Sequence, residues 1–96
     1  MESIGRIRAD MFFMGVTGIR PEIGLSTGDF EESRIKRALM AAAAETIVLV
    51  SPEKLNAASP FIIASLGEID GMVVPADIPE KVLEPYKEQG IAITRA

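Results

Sequence analysis

Cysteine, histidine and tryptophan are all absent from this 96-residue chain, and tyrosine occurs once. Without cysteine there is no disulfide scaffold and no thiolate metal site. Without histidine as well, the common zinc ligand sets and the Ser-His and Cys-His nucleophilic pairs are excluded. No metal and no cofactor is expected. Basic residues are few: 10 Lys and Arg stand against 14 Asp and Glu, a net charge of −4. A nucleic-acid surface needs a cluster of Lys and Arg, so this stretch is not expected to touch DNA. No apolar run approaches the roughly 20 residues that a membrane helix requires. The opening Met1 to Arg6 has no signal-peptide apolar region. The expectation is a cytoplasmic protein that makes no contact with membrane.

What is present is globular in character, with 48% apolar and 25% charged residues. A chain this short is one small domain or part of one and buries a modest share of its surface. That points to packing against something else, and a homo-oligomer is expected.

Met11 to Val16 is a continuous apolar run closed by Gly15 and Gly18, as suits a strand buried between helices. A loop with Gly18, Pro21, Gly24 and Gly28 follows. Asp29 and Glu32 stand at capping-box spacing. Behind them Ile35, Leu39, Ala42 and Ala43 recur at helical spacing, predicting a helix over about 30–45 that takes in the alanine run. Thr46 to Val50, Gly71 to Val74 and Ile91 to Thr94 read as further buried strands, and Gly90 as a residue just past a helix end. The helix between the last two strands either starts near Pro79, with Pro85 inside it, or starts at Glu84-Pro85. Phe61 to Leu66 is an extended segment or a small strand. Met11, Met14, Met40 and Met72 read as core filler.

Strand, helix, strand, repeated, is the signature of right-handed parallel α/β units. In such sheets ligands gather at the carboxyl ends of strands. Two loops qualify here, one over 15–27 and one over 51–60. In the first, Gly15 and Gly18 would let a backbone approach a phosphate, with Thr17, Ser26 and Thr27 adding hydroxyls. The same residues equally serve turns and caps, and Asp29, Glu31 and Glu32 already satisfy the helix end. In the second, Lys54 offers a point charge to a phosphate or carbonyl, or is a solvated lysine paired with Glu53 or Glu32. Glu32 is a base or hydroxyl anchor, or only a cap. Lys36 and Arg37 read as solvated i,i+4 partners.

Five segments resemble one known family, in order, over nearly the whole chain. Ala9 to Ile19 is similar to its "aDkaFiGadGI", Gly24 to Thr27 to "GlTt", and Glu32 to Leu39 to "Ea-x-vKraMi". Ile47 to Lys54 is similar to "vivLaDssK", and Leu66 to Val74 to "LsdiDtliT". The family is the DeoR-type transcriptional repressors. The resemblance implies a Rossmann-like parallel sheet of the ribose-5-phosphate isomerase and CoA-transferase kind. It also implies a module that binds a phosphorylated sugar and thereby controls DNA binding by an N-terminal winged helix. Residues 1–96 would be the C-terminal part of that sensor domain, with no DNA-binding domain and without the first half's phosphate loop. Gly15, Thr17, Gly18, Thr27, Glu32 and Lys54 would line the ligand site. Thr17 and Ser51 stand where the family has Asp. Losing both carboxylates opposes isomerase proton transfer and leaves hydroxyl recognition. The alternative is a sugar-phosphate isomerase or CoA-transferase-like enzyme, which Glu32 and Lys54 support.

Overall fold

The strands run in chain order across a four-stranded parallel sheet. The computed structural model describes residues 9–96, with side chains from Met11 onward. The opening Met1 to Arg6, read above for a leader, lies outside the described residues. β1 (Ala9–Gly15), β4 (Ala43–Leu49), β6 (Gly71–Val74) and β7 (Ala92–Arg95) lie side by side in that order, all parallel. Between them come β2 (Gly18–Arg20), β3 (Gly24–Thr27) and β5 (Phe61–Ala64), which form a second, antiparallel sheet in the order β2-β3-β5. Helix α1 (Phe30–Ala42) leads into β4, and α2 (Glu80–Lys87) leads into β7.

Because the sheet is wound in one direction, right-handed crossovers all fall on the same face. That face is the core. Met14 of β1, Val48 of β4, and Met72 and Val74 of β6 are buried there with Leu83 and Tyr86 of α2 and Ile19, Leu25 and Ile63 of the second sheet. The opposite face has no crossover to cover it. Alternation along β1 and β4 puts Met11, Phe13 and Leu49 on it, and they are 48%, 55% and 46% exposed.

The α/β reading and the parallel sheet hold, with four differences. The segment over 15–27 is not a plain loop, because its β2–β3 hairpin has too few residues for a periodic signal. Gly24 (φ +104) has no room for a Cβ, which would stand 2.2 Å from the Ala64 carbonyl oxygen. The alanine run is half strand: α1 stops at Ala42, and Ala43 turns at once into β4, pairing with Ala9. Helix propensity favours continuing, but the ladder and the burial of Ala43 override it. Asp29 caps α1 by accepting from the Glu31 and Glu32 amides, yet the reciprocal half of the box is missing because the Glu32 carboxylate is used elsewhere. Of the two starts read for the last helix, the one near Pro79 is found: α2 starts after Pro79 and holds Pro85 inside, a costly position that the full burial of Leu83 and Tyr86 offsets. Met14 and Met72 are core residues as read and Met40 packs against the core, whereas Met11 is half-exposed.

Candidate functional site

The carboxyl end of β1 meets the amino end of α1, and the side chains that converge there come from three short stretches. Thr27, the last residue of β3, is 1% exposed and so needs a partner for its hydroxyl. It donates to Glu32 Oε1 at 2.5 Å. Glu32 sits one turn into α1, where Asp29 has already capped the helix, leaving its carboxylate free to turn towards β3. One turn further on, Lys36 Nζ stands 3.9 Å from the same Glu32 oxygen and donates to the Gly15 carbonyl at 2.5 Å. A hydroxyl, a carboxylate and an ammonium are thus strung across the end of β1.

The carboxylate and the ammonium border a groove of about 430 Å³ lined by Phe12 to Gly15 on β1 and by Glu31, Glu32, Ile35, Lys36 and Leu39 on α1. Four consecutive β1 residues line it, so it runs along the free edge of the strand rather than over one face. Gly15 also borders a second, wider concavity of about 630 Å³ across the carboxyl ends of β1, β4 and β6, with Ser51 at its rim. The site therefore lies where parallel sheets hold their ligands. Glu32 can accept hydrogen bonds from hydroxyls and Lys36 can pair an anion.

The other residues read as ligand-lining from the sequence are placed differently. A Cβ on Gly18 would stand 2.6 Å from the Ala57 carbonyl oxygen and 2.9 Å from Ser26 Oγ; this glycine permits close packing within the chain. Thr17 Oγ1 is 2.6 Å from Ser59 Oγ and donates to the Ser26 carbonyl. Ser26 Oγ in turn accepts from the Ser59 amide at 2.8 Å. The loops after β1 and β4 are thereby bound to each other. Lys54, at the end of the short 3-10 turn Pro52–Lys54, is half-buried and does not line the β1–α1 groove. Its ammonium has no hydrogen-bond or ion-pair partner among the described residues: Glu53 takes the Ser51 hydroxyl and Glu32 pairs with Lys36. The backbone and the Ser51 hydroxyl hold the Glu53 carboxyl below its ordinary pKa, with Lys54 adding a smaller pull.

Lys36 is the site residue that sequence reasoning missed. It was read as solvated, but its side chain is only 20% exposed. The signal was present in its spacing: four residues after Glu32, it lies on the same helix face. Arg37 is not a bystander either. It donates to the Ile63 carbonyl at 3.0 Å and pairs with Glu68 at 2.6 Å, tying α1 to the edge strand β5. Among the described residues no helix is long and apolar enough to cross a membrane, and no three His, Cys, Asp or Glu residues gather where a metal ion could sit.

Comparison with known proteins adds a family and three relatives. The family model described as the DeoR C terminal sensor domain matches residues 1–75. A protein of Escherichia coli O157:H7 named for repression of the aga operon is 32% identical over 92 residues, which is 96% of this chain and 34% of that protein. The HTH-type transcriptional regulator FruR of Bacillus subtilis strain 168, which carries the description uncharacterized, is 27% identical over 93% of this chain and 35% of its own length. The HTH-type transcriptional regulator GlpR of Haloferax volcanii is 27% identical over 92% of this chain and 34% of its own length. The chain spans about a third of the length of each of these relatives.

Proposed function

This chain belongs to the DeoR C-terminal sensor domain family, and we propose that it is the effector-sensing part of a transcriptional regulator, not an enzyme, and that its effector is a phosphorylated sugar. The observation that carries the reading is the Thr27–Glu32–Lys36–Gly15 arrangement at the carboxyl end of β1. Sugar hydroxyls would be accepted by Glu32 and the phosphate paired by Lys36, with Lys54 supplying a second positive charge from the neighbouring loop. DNA would be contacted only through a separate winged helix, since this chain is acidic overall, with a net charge of −4. Self-association would use the open sheet face that carries Met11 and Phe13, together with the exposed α1 residues Ile35 and Leu39 beside the β1 edge.

Sensing, rather than turnover, is favoured by the fate of the residues where an isomerase would keep carboxylates. Thr17 is tied to Ser59 and Ser51 to Glu53, so neither position offers a base for moving a proton between sugar carbons. The test is incubation with a panel of aldose and ketose phosphates, followed by NMR of both protein and sugar. At least one sugar phosphate should shift the amides around Gly15 and Glu32 and be recovered unchanged. Conversion of ribose 5-phosphate to ribulose 5-phosphate that is lost in Glu32→Gln would make the chain an enzyme.

A further inference from the structure

The single tyrosine holds the loop on which Lys54 sits. Tyr86, from α2, is fully buried, and its hydroxyl reaches 67 residues back to donate to the Ile19 carbonyl of β2 at 2.8 Å. The same oxygen accepts from the Asn56 amide at 3.1 Å and lies 3.1 Å from Asn56 Oδ1. The Asn56 amide also donates to the Ile19 carbonyl at 2.8 Å. Three elements that are distant in the chain therefore converge on one oxygen. They are the last helix, the first hairpin and the loop after β4.

Asn56 is the one non-glycine residue with positive φ (+63°) among the described residues. Asparagine is among the few side chains that accept this conformation, which persists when its surroundings fix it. Here they do, through the amide and the side-chain amide oxygen together. Lys54 lies two residues earlier, and its carbonyl accepts from the Ala57 amide at 3.2 Å, so the turn that presents Lys54 is closed on both sides of the Tyr86 contact. A phenylalanine would fill the same core volume. The hydroxyl is therefore spent on the loop, not on packing.

We infer that Tyr86 is a positioning residue whose hydroxyl clamps the Lys54 loop to β2 and so sets where the Lys54 ammonium is presented. The inference rests on the proposed reading of Lys54 as a ligand contact for its functional meaning, and on the hydrogen bonds alone for the clamp. Tyr86 lies beyond residues 1–75, the part that the family model matches.

Amide hydrogen exchange on the full chain tests the clamp. In Tyr86→Phe the Asn56 and Ala57 amides should exchange about tenfold faster, the scale of one lost hydrogen bond, with a smaller change at the β4 and β6 amides. Leu83→Val, in the same helix but with no hydroxyl to lose, should show the reverse pattern. Asn56→Gly keeps the backbone conformation, removes the amide-oxygen contact, and should loosen the same two amides by a few fold. Uniform acceleration in Tyr86→Phe, matching Leu83→Val, would make the hydroxyl an ordinary core group and overturn the clamp. Unchanged Asn56 and Ala57 amides would also overturn it. Titration with ribose 5-phosphate separates the underlying reading: affinity unaltered by Lys54→Ala removes Lys54 from the site, whereas the exchange pattern alone decides the clamp.

Discussion

Gly18 and Ala57 meet backbone to backbone: a Cβ on Gly18 would stand 2.6 Å from the Ala57 carbonyl oxygen and 2.8 Å from its carbon. The hairpin after β1 and the loop after β4 are locked at that point. Gly18→Ala should therefore destabilise by about 1–3 kcal/mol, as overpacking against rigid backbone does. Around Gly15 nothing lies within 4 Å of the added carbon, so Gly15→Ala should stay within about 0.5 kcal/mol of the parent. Urea unfolding of the two variants decides it. Equal midpoints would mean that the two loops are not locked together in solution.

That contact also shows where the sequence could be read and where it could not. The parallel strands announced themselves, because runs such as Met11 to Val16 and Gly71 to Val74 are apolar and closed by Gly or Pro. Two of the three short strands of the antiparallel sheet did not, whereas β5 falls within Phe61 to Leu66, which reads as an extended segment or a small strand. Gly18–Arg20 and Gly24–Thr27 have three and four residues, too few for a period to emerge, and their glycines mimic a phosphate loop. Glu32 was legible because capping-box spacing puts it one turn into the helix that follows the glycine-rich loop. Lys36 lies one turn further on, but its burial depends on the carboxyl end of β1, where it reaches the Gly15 carbonyl, and no local pattern reveals that meeting. The sequence offers Gly18 and Thr17 to a ligand, and their partners within the chain, Ala57 and Ser59, lie too far along it for any local pattern to reveal.

Acid should loosen the link between α1 and β5. The Arg37 hydrogen bond, followed by the Ser65 amide, holds the Glu68 carboxyl at a pKa of about 2 against an ordinary value of 4.5. A depressed carboxylate stabilises the fold fully above its unfolded pKa and loses that contribution as pH falls. The window is thus from about pH 4.5 down to about 2. Urea midpoints followed over that range should fall less steeply in Glu68→Gln than in the parent. Both side chains are substantially exposed, so the difference should shrink at high salt. Parallel curves for the two proteins would remove Glu68 from the acid response.

The exposed apolar residues along the β1 edge and α1 should drive association. Phe13, Ile35 and Leu39 are 55%, 54% and 47% exposed and border one groove, an apolar surface of the kind that marks an interaction site. Sedimentation at rising concentration should show self-association in the parent and a shift towards monomer in Phe13→Glu or Leu39→Lys. These changes remove apolar contact without touching the core. A compact monomer at ~100 μM, with a full circular dichroism signal, would contradict self-association through this face.

The binding of a sugar phosphate at the end of β1 is tested most directly by titration calorimetry with aldose and ketose phosphates beside the same sugars lacking phosphate. A phosphorylated sugar should bind where its free form does not. Lys36→Met should then lose about tenfold or more in affinity, since a charge-assisted hydrogen bond contributes ~1.5–3 kcal/mol. Glu32→Gln should weaken the same sugar phosphate, because its carboxylate accepts the hydroxyls. Equal affinity in the parent, Lys36→Met and Glu32→Gln, or heat from the free sugars as large as from their phosphates, would contradict a phosphate-sensing site between β1 and α1.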